Sequence, residues 1–357
     1  ADNVTSGSGI DFAILGGAND VGNFGDGRNY VLGDDGSILL SGGMLTLETM
    51  AVTADSTAGG DDIITTGVNR DVILGGDGAD IIASGDGLGV ILGDSGEIII
   101  DEGEEIQPVS MITTRSTLDG GDTLTSGSGI DFAILGGGSD TANLGDGRNY
   151  VLGDDGSILV SGVGPATVTL ETMASLNSDA DKITTGVGRD AVIGGDLGDL
   201  ISLGDGDNAV IADSGKIVIT EGHATPTLMI TIDSARDGAD IVTSGSGSDL
   251  AILGLGGDTA NLGDGDNRVL GDSGTIRTSG FLGDEYMESL DPTSGGDDVI
   301  DTGAGHDVIF GGEGVDTIST AAGDDIIAGD NAVMQKNGAG GLHMLRSMLG
   351  DYGKGDL

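Results

Sequence analysis

Cysteine and tryptophan are absent from this 357-residue chain, proline occurs four times, and aromatic residues make up only 3%. Without cysteine there is no disulfide framework, no CxxC zinc site and no thiol nucleophile, which fits an extracellular protein that does without disulfides. So few large rings exclude a conventional globular core built on them. Basic residues are scarce too: 13 Lys and Arg stand against 60 Asp and Glu, a net charge of −47. Such a surface repels nucleic acid and anionic membranes, so the expected partners are cations. No apolar run reaches the roughly 18 residues of a membrane span, and no membrane insertion is expected. The N-terminus, Ala1-Asp2-Asn3-Val4, has no basic and apolar leader, so any signal peptide is expected to have been removed or never to have existed here.

What the chain has in excess is glycine, 72 residues, roughly three times ordinary usage and without the three-residue period of collagen. A hydrophobic content of 37%, regularly placed, is too high for a disordered chain. Internal repetition decides the architecture. The segment Thr5-Ser-Gly-Ser-Gly-Ile-Asp-Phe-Ala-Ile-Leu-Gly-Gly17 recurs residue for residue from Thr125 to Gly137, and a close relative runs from Thr243 to Leu255. Between these copies lie units of a second kind, so that units start near 2, 62, 122, 181, 240 and 298. Six units of about 60 residues fill the chain, and 1–357 is expected to be a single repeat array with no linker; residues 334–357 read as a C-terminal cap or a unit-end insertion.

Within each unit the period is nine, as in Gly75-Gly-Asp-Gly-Ala-Asp80-Ile-Ile-Ala. Glycines fall at the second and fourth places, an acid at the sixth and an aliphatic residue at the eighth. The eighth-place residues include Ile64, Ile73, Ile82 and Ile91, and in the last unit Ile300, Ile309, Ile318 and Ile327. This spacing never matches a helix and predicts short strands joined by glycine turns, each strand pointing one apolar side chain inward. Two strand-turn halves form a coil of about 18 residues, and coils stack about 4.8 Å apart. One coil cannot bury its own apolar face, but a stack can. Ala13, Ala133 and Ala251, with Gly22, predict thinner cores in the odd-numbered units. About 23 residues per unit lie outside the nonapeptides and also read as extended, for example Glu97-Ile-Ile-Ile100 and Val109-Ser-Met-Ile112. They predict a third, wider coil with a protruding loop, and three coils per unit would make a rod roughly 85 Å long.

The sixth-place acids carry the chemistry. They are Asp2, Asp11 and Asp20; Asp62, Asp71 and Asp80; Asp122, Asp131 and Asp140; Asp181, Asp190 and Asp199; Asp240, Asp249 and Asp258; and Asp298, Asp307, Asp316 and Asp325. Residues one coil apart share an edge of the stack. Two carboxylates about 5 Å apart repel by roughly 3 kcal/mol at an effective dielectric near 20. Bound cations would remove that cost. Carboxylates and glycine-turn carbonyls form a flexible oxygen-only site, which suits Ca²⁺ best and Mg²⁺ second. The third nonapeptide replaces the acid with Asn29, Asn149, Asn208 and Asn267, and with Gly89 in the second unit. Those positions should bind metal more weakly or form an Asn ladder without metal, which directs the metal expectation first to the second, fourth and sixth units.

The nonapeptides Gly75 to Ala83 and Gly311-Gly-Glu-Gly-Val-Asp316-Thr-Ile-Ser resemble the GGxGxDxUx motif of the RTX, or hemolysin-type, calcium-binding repeats. The resemblance covers about 36 of every 60 residues. It implies an all-β, right-handed parallel β-roll or solenoid that holds several Ca²⁺ ions between turns, by the sixth-place Asp and turn carbonyls. It further implies a bacterial secreted or surface protein, kept unfolded in the calcium-poor cytosol and folded by Ca²⁺ outside.

Other readings of the same residues exist. Asp at a corner also serves turn chemistry through Asx-type hydrogen bonds. The doublets Gly33-Asp34, Gly93-Asp94 and Gly271-Asp272 read as solvated turns, and His223, His306 and His343 as scattered surface residues. Paired carboxylates would permit glycoside hydrolysis, but these acids are periodic and aromatics for stacking sugars are nearly lacking, so no enzyme is expected. The functional expectation is a calcium-binding structural module of an extracellular adhesin, filament or surface layer. It would fold on Ca²⁺ and associate end to end with itself, or lie within a longer parent chain. The alternative is an accessory module of a secreted enzyme or toxin whose catalytic domain lies elsewhere.

Overall fold

The computed structural model describes all residues except 42–45, 53–58, 102–106, 115, 163–164, 233–235, 237, 280–283, 291–292, 339–340 and 349–357. The protruding loops expected at the insertion tips and the last part of the expected cap fall in part on those residues. The described chain is all-β and divides into two compact units, Ala1–Thr185 and Gly186–Leu357.

In Ala1–Thr185, three-residue strands such as Val21–Asn23, Ile63–Thr65, Ile81–Ala83 and Thr123–Thr125 pair in parallel, each with the next coil. The following strands, such as Gly27–Leu32, Asn69–Leu74, Gly87–Leu92 and Gly129–Ile134, form a second parallel sheet. Register is strict, with Ile64 opposite Ile82 and Ile73 opposite Ile91. Glycine makes the close stacking possible: at Gly87 (φ +137) a Cβ would stand 1.7 Å from the carbonyl oxygen of Asn69. Gly186–Leu357 repeats the plan, with Ile241–Ser244 on Thr259–Leu262 and Leu250–Ile252 on Arg268–Leu270.

The insertions differ from the expected third coil. Gly96–Asp101 and Gln107–Thr113 pair antiparallel, as do Gly156–Ser161 with Thr167–Thr172, Gly274–Thr278 with Glu285–Ser289, and Ala332–Lys336 with Leu342–Ser347. Each insertion leaves and re-enters the roll at one corner, so its two strands must run in opposite directions, which only a hairpin allows. Each sixty-residue unit therefore contributes two coils to the parallel stack, and a length reckoned on three is too long. Successive hairpins pair with each other, Met111 opposite Ile158 and Met229 opposite Ile276, and build a third sheet.

That sheet explains the burial. In the first sheet the strands alternate, with Ile64 and Ile82 buried and Ile63 and Ile81 exposed. In the second sheet Val72, Ile73 and Leu74 are all buried, because one face meets the core between the parallel sheets and the other meets the hairpins. Ile98, Met111, Ile158 and Leu170 in Ala1–Thr185, and Ile217, Met229, Ile276 and Met287 in Gly186–Leu357, close this second core in each unit. The small eighth-place residues do not leave it thin. Ala133 and Ala251 are fully buried, Phe24 occupies the space beside Gly22, and Phe12–Tyr30 and Phe132–Tyr150 stack with ring centroids 4.8 Å apart. Ile318 and Ile327, expected in the core, are not fully buried; Ile327 is 47% exposed, on the last parallel coil, which has no described coil beyond it.

Candidate metal centres

The sixth-place acids separate into two columns, one at each edge of the parallel roll. The first holds Asp20, Asp62, Asp80, Asp122, Asp140 and Asp181 in Ala1–Thr185, with Asp2 at its start, and Asp199, Asp240, Asp258, Asp298 and Asp316 in Gly186–Leu357, spaced within each unit alternately by one short coil and one hairpin-bearing coil. The backbone N–H of each Asp donates to Oδ1 of the Asp in the next coil: Asp20 to Asp62 at 2.7 Å, Asp62 to Asp80 at 2.7 Å, Asp80 to Asp122 at 2.7 Å and Asp122 to Asp140 at 2.6 Å. In the second unit Asp199 donates to Asp240, Asp240 to Asp258, and Asp258 to Asp298 in the same way. One oxygen of each carboxylate is thus fixed by the main chain.

The other oxygen is not. Oδ2 of Asp20, Asp62, Asp80, Asp122, Asp140, Asp258 and Asp298 is buried without a hydrogen-bond partner. It faces a turn carbonyl across a space that only glycine leaves open. A Cβ on Gly75 would lie 2.2 Å from Asp80 Oδ2 and 2.2 Å from Gly93 O; on Gly93, 2.2 Å from Asp122 Oδ2; on Gly311, 2.2 Å from Asp316 Oδ2 and 2.4 Å from Gly329 O. Burial and neighbouring carboxylates push Asp62, Asp140 and Asp298 up to about 7, Asp80 to about 8 and Asp258 to about 9. The Ala1 amino group reaches Asp20 at 3.6 Å, whereas the ion pairs of Arg189 with Asp207 and of Arg268 and Lys336 with Glu285 lie on other residues.

The second column is built differently. It holds Asp11, Asp71 and Asp131 with Asn29, Gly89 and Asn149 in Ala1–Thr185, and Asp190, Asp249, Asp307 and Asp325 with Asn208 and Asn267 in Gly186–Leu357. Here Oδ1 again accepts a main-chain N–H, from Asn29 to Asp71 at 3.1 Å, Gly89 to Asp131 at 2.8 Å and Asn208 to Asp249 at 2.9 Å. Oδ2 accepts a hydroxyl five residues upstream: Ser6 for Asp11, Thr66 for Asp71 at 2.7 Å, Ser126 for Asp131 at 2.6 Å, Ser244 for Asp249 and Thr302 for Asp307. The turn carbonyls are occupied as well. Nδ2 of Asn29 donates to Gly25 O, of Asn149 to Gly145 O, of Asn208 to Gly204 O, and of Asn267 to Gly263 O and Gly265 O.

The contrast thus runs between edges rather than between odd and even units. The first place of the nonapeptide signals it: Ser or Thr at the closed edge (Ser6, Thr66, Ser126, Ser244, Thr302), Gly or Leu at much of the open one (Leu15, Gly75, Leu135, Gly194, Gly311). Turn chemistry occupies the exposed rim, where Asp86 Oδ1 accepts both N–H and Oγ–H of Ser128 and Asp205 does the same for Ser246; those hydrogen bonds hold both acids below the usual range. His306 is exposed and accepts the N–H of Asp324 on Nδ1.

The Gly-Asp doublets are not solvated turns. Asp34, Asp94 and Asp272 are at most 2% exposed, because the hairpins fold over the corner they occupy. Each accepts a main-chain N–H from the following coil, Asp34 from Asp77 at 2.8 Å, Asp94 from Gly137 at 2.5 Å, and Asp272 from Glu313.

Among the described residues no three Asp, Glu or His side chains enclose a metal ion by themselves. An ion at the open edge would therefore take main-chain oxygens along with the carboxylates, as the glycine cradles provide. Comparison with known families agrees with this chemistry: the RTX calcium-binding nonapeptide repeat matches residues 56–91, 234–251 and 293–327, in four copies. The chain carries RTX calcium-binding repeats. The matched segments make up about a quarter of its length and include Asp62, Asp71, Asp80, Asp240, Asp249, Asp298, Asp307, Asp316 and Asp325. No curated protein matches the chain. No helix among the described residues is long and apolar enough to cross a membrane. As an RTX module the chain is a calcium-binding repeat protein of the bacterial type.

Proposed function

We propose that the module is a calcium-stabilised structural element of an extracellular bacterial protein, folded by Ca²⁺ and carrying no catalytic chemistry of its own. The observation that supports this best is the row of buried Oδ2 atoms at the open edge, each beside a turn carbonyl. A bound Ca²⁺ supplies the positive charge and the extra coordination that these hard oxygens need. The chain's own part is to hold the oxygens in place: the Asp N–H groups fix each carboxylate's rotation, and the cradle glycines keep Cβ atoms out of the space.

Before calcium, the column stacks like charges in low dielectric and opposes coil closure. Neutralised, the same column becomes a seam joining each coil to the next. Folding coupled to the calcium level follows, as does export of a loose chain and its consolidation outside the cell. An adhesin, filament or surface-layer role is the reading this supports.

The test is far-UV circular dichroism and light scattering during Ca²⁺ titration from an EDTA-treated start, with Mg²⁺ as control. A coil-to-β transition driven by Ca²⁺ supports the folding role, and rising scatter supports self-association. A chain already fully β in EDTA and indifferent to Ca²⁺ contradicts it.

A further inference from the structure

The buried Gly-Asp corners carry carboxylate oxygens that the sixth-place column does not use. Asp34 is 0% exposed and Asp77 is 2% exposed. Asp34 Oδ2 accepts the Asp77 N–H, and Asp77 Oδ1 accepts the Ser95 hydroxyl at 3.1 Å, but Asp34 Oδ1 and Asp77 Oδ2 are buried without partners. Gly59 lets the two acids approach closely: a Cβ there would stand 2.4 Å from Asp77 Cβ, 2.7 Å from Asp34 Oδ2 and 2.9 Å from the Asp77 carbonyl oxygen. The next unit repeats the arrangement with different residues. Asp94 Oδ1 and Asp119 Oδ1 are buried and unpartnered, Asp94 Oδ2 accepts the Gly137 N–H, and a Cβ on Gly137 would stand 3.2 Å from Asp119 Oδ2 and 3.3 Å from Ser175 Oγ. Asp155, buried with neither side-chain oxygen hydrogen-bonded, raises Asp119 further by its charge.

From this geometry we infer a second row of divalent-cation sites, at the corners where the hairpin sheet joins the roll: one between Asp34 and Asp77, the other between Asp94 and Asp119. Hard carboxylate and carbonyl oxygens make Ca²⁺ the fitting ion. Protonation is the competing way to neutralise the corner, and burial does push Asp34 to about 6 and Asp119 to about 7. A proton shared between the two acids would neutralise only one of them, whereas a divalent cation neutralises both carboxylates. The Asp272 corner is an internal contrast. Both of its oxygens accept main-chain N–H groups, from Gly296 and Glu313, and it offers no free oxygen to a metal. Such corner ions would tie the hairpins to the roll, so calcium would set the third sheet as well as the stack.

This inference rests on the calcium reading of the open edge, and the experiment separates the two. Crystals of the full chain grown in CaCl₂ are measured at a wavelength where calcium scatters anomalously. Peaks between Asp34 and Asp77 and between Asp94 and Asp119, beside peaks along the Asp62–Asp80–Asp122 column, are the expected result. Peaks along the column alone overturn the corner sites and leave the proposed function standing; peaks at neither overturn both. Equilibrium dialysis with ⁴⁵Ca²⁺ gives a second reading. Asp34→Asn keeps an acceptor for the Asp77 N–H, so the fold should persist with one ion fewer, and Asp34→Asn with Asp94→Asn should lose two. An unchanged count with an unchanged β spectrum overturns the inference.

Discussion

The two edges of the roll are made from the same nonapeptide and come out chemically opposite. At the edge of Asp62, Asp80 and Asp122, each carboxylate has one oxygen held and one bare. At the edge of Asp71, Asp131 and Asp249, a hydroxyl closes the second oxygen. Between those acids, Asn amides close the turn carbonyls. One edge leaves buried carboxylate oxygens without a hydrogen bond, and the other supplies its own hydrogen-bond donors. The difference teaches that an acid column alone does not identify a metal site; the fate of the second oxygen does.

The strongest way to break this comparison is to remove calcium. EDTA at pH 8 should abolish most of the β signal in circular dichroism, because the open edge then stacks uncompensated charge, while a chain stabilised evenly by both edges would keep it. Next in size is the pH response of the calcium-free chain. The folded-state values of Asp34, Asp62, Asp80 and Asp258, about 6, 7, 8 and 9, all lie above the ordinary carboxyl value. Raised acids stabilise the fold below their unfolded value near 4, and that stability drains away as pH climbs through the folded values. Thermal melts in EDTA should therefore show Tm falling from pH 5 to pH 9. In saturating Ca²⁺, protons compete for the same oxygens, and Tm should instead fall toward pH 5.

Smaller effects sharpen the contrast. Gly75→Ala places a methyl 2.2 Å from Asp80 Oδ2 and Gly93 O, so it should cost about 2–4 kcal/mol and raise the Ca²⁺ midpoint for folding. Thr66→Val removes the hydroxyl on Asp71 Oδ2 and should cost about 1–3 kcal/mol, read by chemical denaturation in Ca²⁺, with the Ca²⁺ midpoint unchanged. Ile81→Ser, on the exposed face of the first sheet, should change stability by no more than about 0.5 kcal/mol.

Much of this was legible in the sequence. The glycine spacing and the eighth-place aliphatics gave the parallel coils, and Ile64, Ile73, Ile82 and Ile91 lie in the core as their period requires. The separation into edges was legible too, in Ser and Thr at the first place beside Asp71 and Asp131, though that signal emerges only once Oδ2 can be followed to its partner. The hairpins were not legible as hairpins. Glu97 to Ile100 reads as extended whichever way its neighbour runs, and direction is fixed by contacts between coils far apart in sequence. The Gly-Asp corners were misread for the same reason. Asp34 and Asp94 have the local chemistry of a solvated turn, and only the third sheet, closed by long-range antiparallel pairs, removes them from water.

The central claim, that cations bind one edge and hydrogen bonds close the other, is tested most directly by paired calcium titrations of Asp80→Asn and Asp71→Asn, followed by circular dichroism. Asp80→Asn should raise the Ca²⁺ midpoint at least tenfold, while Asp71→Asn should leave it within twofold of the parent despite a loss of stability. Equal shifts from the two substitutions, or the larger one from Asp71→Asn, would contradict the account.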